Sequence, residues 1–144
     1  MIDLVSLGYL GLFISSFLAA TILPFSSEIV LAGLLLKGWN PYYLVFIATL
    51  GNVLGSLTNY ALGKWGGTII VKRFLKVSDK ELQRSSNVFN KYGVFSLLFA
   101  WVPVIGDPIT IVSGIAKTNI FLFSFLVSIG KLARYILVAG IFSK

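Results

Sequence analysis

The apolar residues of the chain fall into four blocks, which are Leu4–Leu36, Tyr42–Gly63, Gly93–Ala116 and Ile120–Phe142. A helix that crosses a bilayer needs about 20 consecutive, mostly apolar residues. The second and fourth blocks therefore predict simple membrane spans. The first block is too long for one span, and the third has about the right length but is broken in its middle.

The first and third blocks contain helix-breaking residues, with the sequence PVIGDP at residues 103–108 of the third. Proline removes a backbone donor and stops a helix, and polar backbone cannot face lipid. We therefore expect each of these blocks to form a re-entrant helical hairpin that enters and leaves the membrane on one side. The expected tip residues are Pro24, Ser27, Pro103, Gly106 and Pro108.

The segment Lys64–Tyr92 carries seven of the twelve basic residues. The positive-inside rule places such a segment in the cytoplasm. Ser78 and Glu81 have the spacing of a helix N-cap and the third helical residue. Two interpretations stay open, which are a solvated loop and a basic amphipathic helix that lies on anionic lipid.

The two halves of the chain match at an offset of 79 residues. The polar and helix-breaking matches are Pro24 with Pro103, Glu28 with Asp107, Asn40 with Asn119, and Gly51 with Gly130. The sequence thus predicts one all-α membrane domain with repeat one at 4–63, a cytoplasmic linker at 64–92 and repeat two at 93–142.

A cytoplasmic linker makes the two repeats inverted, because the second block must then run inward and the fourth outward. Inverted repeats are common in secondary transporters, where broken helices meet near the membrane centre and build the substrate site. We therefore expect Asp107 to face Glu28 across a central cavity.

The composition agrees with a membrane protein, since 57% of the residues are hydrophobic, 12% are charged and the mean hydropathy is +0.92. The net charge of +7 would suggest nucleic acid for a soluble protein. Here the basic residues adjoin apolar blocks, so anionic lipid headgroups are the expected partner and nucleic acid is not. Asp3 lies where a signal peptide is basic, so we expect the hydrophobic start to be retained.

The chain has no cysteine and no histidine. It therefore lacks thiolate metal ligands, the commonest metal ligand and the usual general base. We expect no metal site, no cofactor and no enzymatic activity.

Glu28 and Asp107 are ionisable residues inside apolar blocks. Such a residue costs about 2.5 to 3.5 kcal/mol on insertion scales and is a functional candidate. The alternative is a helix cap, in which the carboxylate accepts N–H bonds of the following helix. Because desolvation favours the uncharged carboxyl group, each acid is also a candidate proton carrier.

Lys131 and Arg134 lie three residues apart within the fourth block and so share a helix face. The guanidinium fork suits phosphate, whereas the alternative is that both side chains snorkel to the interface. Asn52 and Asn59, on the second block, are candidates for substrate contact or for hydrogen bonds between helices.

Three motifs carry a family resemblance, which are LPFSSE, GNVLGSLTNYALGKWGG and WVPVIGDPITIVSGIAK. The chain resembles the DedA-type membrane proteins of the VTT-domain (SNARE-associated Golgi) superfamily, in their YqaA-like branch. The resemblance implicates Glu28. The chain differs from most of the family at Ser56, which replaces an aspartate, and at Ala100 and Gly106, which replace arginines. Lys131 and Arg134 are the candidates to supply the missing positive charge.

The resemblance implies lipid translocation, and we expect an integral membrane protein of a prokaryotic cytoplasmic (inner) membrane. Relatives move undecaprenyl phosphate or phospholipid between leaflets, some of them depending on the proton gradient, which predicts a flippase or scramblase for such a lipid. Two alternatives stay open, which are a small-ion or solute transporter on the same fold and a non-transporting membrane assembly protein. The small size of the predicted fold also leaves a homodimer open.

Overall fold

The computed structural model describes residues 7–21, 26–75, 78–101 and 106–142. Its α-helices are α1 (Tyr9–Thr21), α2 (Ser26–Leu36), α3 (Pro41–Leu75), α4 (Asp79–Tyr92), α5 (Gly106–Ile115) and α6 (Ile120–Phe142). A 3₁₀ helix, Gly93–Trp101, follows α4. No strand occurs among the described residues, so the prediction of an all-α protein is confirmed.

Among the described residues, two helices are long and apolar enough to cross a membrane, at Pro41–Gly66 and Ile120–Phe142. The second has the bounds predicted for the fourth block. The first belongs to α3, which continues beyond Gly63 into the basic segment and ends at Leu75. The sequence from Lys64 to Leu75 contains no proline, and its paired glycines weaken a helix without stopping it.

Both interrupted blocks are divided into two helical segments. In the first block α1 contacts α2, and in the third the 3₁₀ helix contacts α5. The residues between these segments, 22–25 and 102–105, lie outside the described residues, so the predicted breaks there stay predictions. Pro24 and Pro103 lie outside the described residues, so their place at hairpin tips stays a prediction.

The two interrupted blocks differ in their first segment. In the first block this segment is the α-helix α1, whereas in the third it is the 3₁₀ helix. Gly93 ends α4 with φ of +66° and separates it from the 3₁₀ helix. Glycine reaches this left-handed region without steric cost, so the local break is due to a residue that the first repeat lacks.

The turns before α3 and α6 have the same backbone geometry at the offset of 79 residues. Gly38 and Lys117 both have positive φ, of +88° and +57°. The matching hydrogen bonds run from Trp39 N to Leu34 O at 3.2 Å and from Thr118 N to Ser113 O at 3.1 Å. This pattern is a Schellman motif, which satisfies the last carbonyl groups of a helix.

Two asparagines of the repeat begin the two long helices. Asn40 Oδ1 accepts the N–H of Tyr42 at 2.9 Å. Asn119 Oδ1 accepts the N–H groups of Phe121 and Leu122 at 2.9 and 3.2 Å. Both are N-caps that satisfy donors with no partner inside the helix. The repeat seen in the sequence is thus also present in the local structure of both turns.

Helix α4 begins at its predicted cap, because Ser78 Oγ accepts the N–H of Glu81 at 3.1 Å. Its apolar side is directed to the protein, with Leu82 against Ile111 of α5 and Ser85 buried. The segment is therefore an amphipathic helix rather than a loop. Its apolar side is covered by α5 instead of being open to lipid.

The chain forms two compact units. Unit 1 contains the described residues of Met1–Gly55 and Lys131–Lys144, and unit 2 those of Ser56–Gly130. The core of unit 1 is a cluster from α1, α2, α3 and α6 that includes Leu12, Leu31, Leu34, Leu44 and Tyr135. In unit 2, the rings of Tyr60 and Phe123 lie 4.7 Å apart.

Glycines allow close helix contacts inside each unit. In unit 1, a Cβ atom on Gly51 would lie 2.7 Å from the carbonyl oxygen of Phe13. In unit 2, a Cβ atom on Gly114 would overlap the carbonyl oxygen of Tyr60. Backbones that approach so closely are typical of membrane helices, where small residues line the contacts.

The long helices expose many large apolar side chains. Tyr42 and Phe46 of α3, and Phe121, Phe125 and Leu137 of α6, are more than half exposed. A soluble monomer rarely exposes so many large apolar side chains. When these side chains face lipid tails instead of water, their exposure has no free-energy cost.

We expect opposite stability changes from exchanges at the two matching turns. Gly38→Ala should lower the stability by about 1 kcal/mol, because φ is positive and a side chain is strained there. A Cβ atom at Gly38 would meet nothing within 4 Å, so the effect would come from the backbone alone. Lys117→Gly should raise the stability by up to about 1 kcal/mol for the same reason. Thermal unfolding midpoints in detergent test both, and equal shifts in one direction would contradict the shared geometry.

Candidate functional site

Glu28 and Arg134 form an ion pair inside unit 1, between Glu28 Oε1 and Arg134 Nη2. Glu28 lies in the first turn of α2, and Arg134 lies within α6. Their side chains are only 20% and 17% exposed. The guanidinium is thus directed to a carboxylate of its own unit, whereas a snorkelling arginine would extend toward the interface.

Both sequence-predicted acids lie in the first turn of a helix, Glu28 in α2 and Asp107 in α5. The partial positive charge of a helix N-terminus favours a carboxylate at this place. The position fits the capping alternative, and for Glu28 the ion pair with Arg134 adds a second stabilising contact.

Two hydroxyl groups extend the ion pair into the core. Ser27 Oγ donates to Glu28 Oε2 at 3.3 Å and lies 2.8 Å from the hydroxyl oxygen of Tyr135. Ser27 and Tyr135 are both fully buried. The sequence predicts Ser27 only at a hairpin tip and assigns no role to Tyr135. The available signal was a tyrosine beside Arg134 in an apolar span, because a buried tyrosine hydroxyl usually has a hydrogen-bond partner.

Lys131 also belongs to unit 1 and lies one helical turn before Arg134 in α6. Its side chain is fully buried. A buried ammonium group is costly unless it is paired, so this lysine belongs to the polar interior of the protein and not to its surface. The segment of α6 from Lys131 to Tyr135 therefore directs three polar side chains inward.

The two asparagines predicted as substrate or packing residues make bonds between helices. In unit 1, Asn52 Nδ2 donates to the carbonyl oxygen of Ser16 at 2.8 Å and joins α3 to α1. In unit 2, Asn59 Nδ2 donates to Thr110 Oγ1 at 3.2 Å and joins α3 to α5. These contacts fit the packing interpretation, and the predicted substrate contacts stay predictions.

The second set of tip residues belongs to unit 2. Gly106 begins α5, Pro108 is buried, and Asp107 is partly buried. The hydroxyl of Thr110 donates to the carbonyl oxygen of Asp107 at 2.5 Å. Glu28, Ser27, Asn52, Lys131 and Arg134 belong to unit 1, so the expected meeting of Asp107 with Glu28 stays a prediction.

The part of the chain that the structure describes has no group of three or more histidine, cysteine, aspartate or glutamate residues that could hold a metal ion. Around the ion pair, unit 1 instead combines the carboxylate of Glu28 and the guanidinium of Arg134 with the hydroxyl groups of Ser27 and Tyr135, and it buries Lys131 one helical turn before Arg134. Such a set can bind an anion and can exchange one anionic partner for another.

Comparison with known proteins gives one family and several relatives. The sequence model of the VTT domain matches residues 23–144. Inner membrane protein YqaA of Escherichia coli (strain K12) is 37% identical over 136 residues, which are 94% of this chain and 91% of YqaA. No solved structure shows significant similarity to the chain.

More distant relatives extend the comparison. The membrane protein YkoX of Bacillus subtilis (strain 168) is 33% identical over 141 residues, which are 88% of this chain and 59% of YkoX. Undecaprenyl phosphate transporter A of Staphylococcus aureus (strain NCTC 8325 / PS 47) is 30% identical over 135 residues, 85% of this chain and 66% of that protein. With its two membrane-capable helices, the chain is an integral membrane protein of the bacterial inner membrane.

We expect the ion pair to contribute to stability as a pair. Glu28→Gln and Arg134→Gln should each lower the free energy of unfolding by about 1 to 3 kcal/mol, because each leaves a mostly buried charge without its counter-ion. The double variant should lose less than the sum of the two. Unfolding midpoints in detergent give the coupling energy by a double-mutant cycle. Additive losses would mean that the two charges do not interact.

Proposed function

Because the chain belongs to the VTT-domain (DedA) family, in its YqaA-like branch, we propose that it is a lipid flippase or scramblase for a polyprenyl phosphate or a phospholipid. The observation that carries this proposal is the mostly buried pair of Arg134 with Glu28. A cationic fork inside an apolar unit is the group that an anionic headgroup requires there. The Staphylococcus aureus relative is named for undecaprenyl phosphate, which supplies the class of substrate.

Arg134 has the chemistry to bind the phosphate, since its guanidinium forms two parallel hydrogen bonds to oxygens of one anion. A headgroup that crosses a low-dielectric region needs such a compensating charge. Lys131 adds a second positive charge on the same helix. Glu28 then takes the place of the phosphate on Arg134 once the lipid leaves, and Asp107 is the corresponding acid of the second repeat.

Proton coupling is part of this proposal. A protonated Glu28 no longer neutralises Arg134, so protonation favours the anion-bound state and loss of the proton favours release. The described geometry supports this step because Glu28 and the phosphate require the same guanidinium group. No cofactor takes part, and the relatives carry the names of membrane or transporter proteins.

The proposed architecture is a pair of inverted repeats at 4–63 and 93–142, each a re-entrant hairpin followed by a span. Its support is the division of both interrupted blocks, the two candidate spans and the matching turns at Gly38 and Lys117. The repeats flank the basic segment 64–92, which we place in the cytoplasm. Anionic lipids are the proposed partners, and a homodimer is the proposed assembly.

The ion pair also separates the lipid proposal from its alternatives. A cation transporter would need its carboxylate available, whereas Glu28 is already neutralised by Arg134. In a non-transporting assembly protein the pair would serve stability alone. Transport by an Arg134 variant that still folds distinguishes that role from substrate binding.

The inverted topology predicts opposite accessibility of the two matching turns. Lys37 and Ala116 are equivalent at the offset of 79 residues, and both are exposed. Since the natural chain has no cysteine, Lys37→Cys and Ala116→Cys each provide a single reactive thiol. In intact cells whose outer barrier is opened, a membrane-impermeant maleimide should label residue 37 from outside. It should reach residue 116 only after the inner membrane is permeabilised. Labelling of both from one side would overturn the inverted arrangement.

Transport should depend on the guanidinium of Arg134. In liposomes with undecaprenyl phosphate or with labelled phospholipid, Arg134→Gln should lower the flip rate more than about tenfold, because charge-assisted bonds to phosphate are lost. Arg134→Lys should retain part of the rate, since the charge remains without the fork. Lys91→Gln, the same charge change on the exposed side of α4, serves as the control. The proposal is wrong if Arg134→Gln transports like the natural protein.

A further inference from the structure

We propose that Tyr135 is a positioning residue that, through Ser27, holds Glu28 on Arg134 as an internal counter-ion. An anionic headgroup must then displace Glu28 before it can bind Arg134. This inference rests on the proposed function, in which Arg134 binds the phosphate. It states that the hydroxyl groups of Ser27 and Tyr135 set the affinity for the headgroup.

The direction of the hydrogen bonds follows from the number of hydrogens. A serine hydroxyl has one hydrogen, and Ser27 Oγ donates it to Glu28 Oε2. Because that hydrogen is then used, the contact of 2.8 Å between Ser27 Oγ and the hydroxyl oxygen of Tyr135 is a hydrogen bond only when Tyr135 donates. In this arrangement both hydroxyl hydrogens are directed toward the carboxylate, so the two hydrogen bonds help to hold Glu28 on Arg134.

Burial makes this arrangement persistent. Ser27 and Tyr135 are fully buried, and Tyr135 belongs to the apolar cluster with Leu31 and Leu34 of α2. Neither hydroxyl can exchange its partner for water, and a buried hydroxyl without a partner is costly. Any movement of Glu28 away from Arg134 must therefore disturb the bond of Ser27, and through it the bond of Tyr135.

Both oxygens of Glu28 take part in holding it. Oε1 contacts Arg134 Nη2, and Oε2 accepts from Ser27. The guanidinium that a phosphate would use is thus already occupied by an anion of the protein. When the binding-competent state is only a fraction of the population, the apparent affinity is lowered by that fraction. Each contact that stabilises the resting pair should therefore weaken headgroup binding.

The test measures binding of farnesyl phosphate to the full chain in detergent, by calorimetry, with farnesol as the uncharged control. Tyr135→Phe and Ser27→Ala should each bind farnesyl phosphate roughly 2- to 10-fold more tightly, which is the loss of one hydrogen bond from the resting state. Glu28→Gln should bind at least as tightly as either variant. Because Tyr135 acts through Ser27, the double variant Ser27→Ala/Tyr135→Phe should bind like Ser27→Ala alone.

Tyr60→Phe is the matched control. Tyr60 is also nearly fully buried, but its hydroxyl donates to the carbonyl oxygen of Thr118 in unit 2. Its removal should leave the affinity unchanged. A purely structural role of Tyr135 would give the same result as Tyr60→Phe, or weaker binding, and would contradict the inference. If Tyr135→Phe does not fold, Ser27→Ala decides by itself.

The outcomes also separate this inference from the proposed function. If Arg134→Gln loses binding while Tyr135→Phe and Ser27→Ala bind like the natural protein, only the inference is wrong. If Arg134→Gln binds as well as the natural protein, or neither binds, both are wrong. A parallel titration with inorganic phosphate distinguishes the two sources of the anion. If farnesyl phosphate binds more tightly than inorganic phosphate, the anion is a lipid headgroup. If both bind equally, a lipid headgroup as the ligand is wrong.

Discussion

Glu28 and Arg134 can both carry charge inside an apolar unit because each neutralises the other. An isolated charge in such surroundings would be far more costly than the pair. This requirement fixes where α2 and α6 lie relative to one another within unit 1. Tyr135 belongs to the apolar cluster with Leu31 and Leu34 and contacts Ser27 beside Glu28, so the core and the candidate site share a residue.

Under the proposed function, the same pair lets a small protein combine stability with a site for an anion. A carboxylate that balances an arginine at rest can be exchanged for another anion without leaving a buried charge unpaired. Each state of such an exchange is electrically balanced, which keeps the free-energy difference between them small. In the proposed exchange, the Ser27 hydroxyl, which bonds to the carboxylate and contacts the Tyr135 hydroxyl, shifts this balance toward the resting pair.

The repeat has a different physical origin from the site. Gly38 and Lys117, with the caps Asn40 and Asn119, give the same turn before two long helices. A transmembrane helix must satisfy its terminal backbone groups at the edge of the lipid, and both turns meet that need in one way. The charged residues do not follow the repeat in this manner, since Arg134 corresponds to Gly55. The symmetry thus belongs to the scaffold, and the arginine belongs to one half.

The sequence by itself determined the features that depend on near neighbours. The bounds of α6, the division of each interrupted block into two helical segments and the cap at Ser78 follow from apolar length, proline and local hydrogen bonding, all of which act within a few residues. The sequence also identified Glu28 and Arg134 separately, because a charged residue within an apolar block can be recognised from the sequence alone. Only the tertiary structure decided that these two side chains pair and that Ser27 meets Tyr135, which is 108 positions away. Contacts at such separation depend on how the helices pack, and helix packing is a property of whole surfaces that no local pattern specifies.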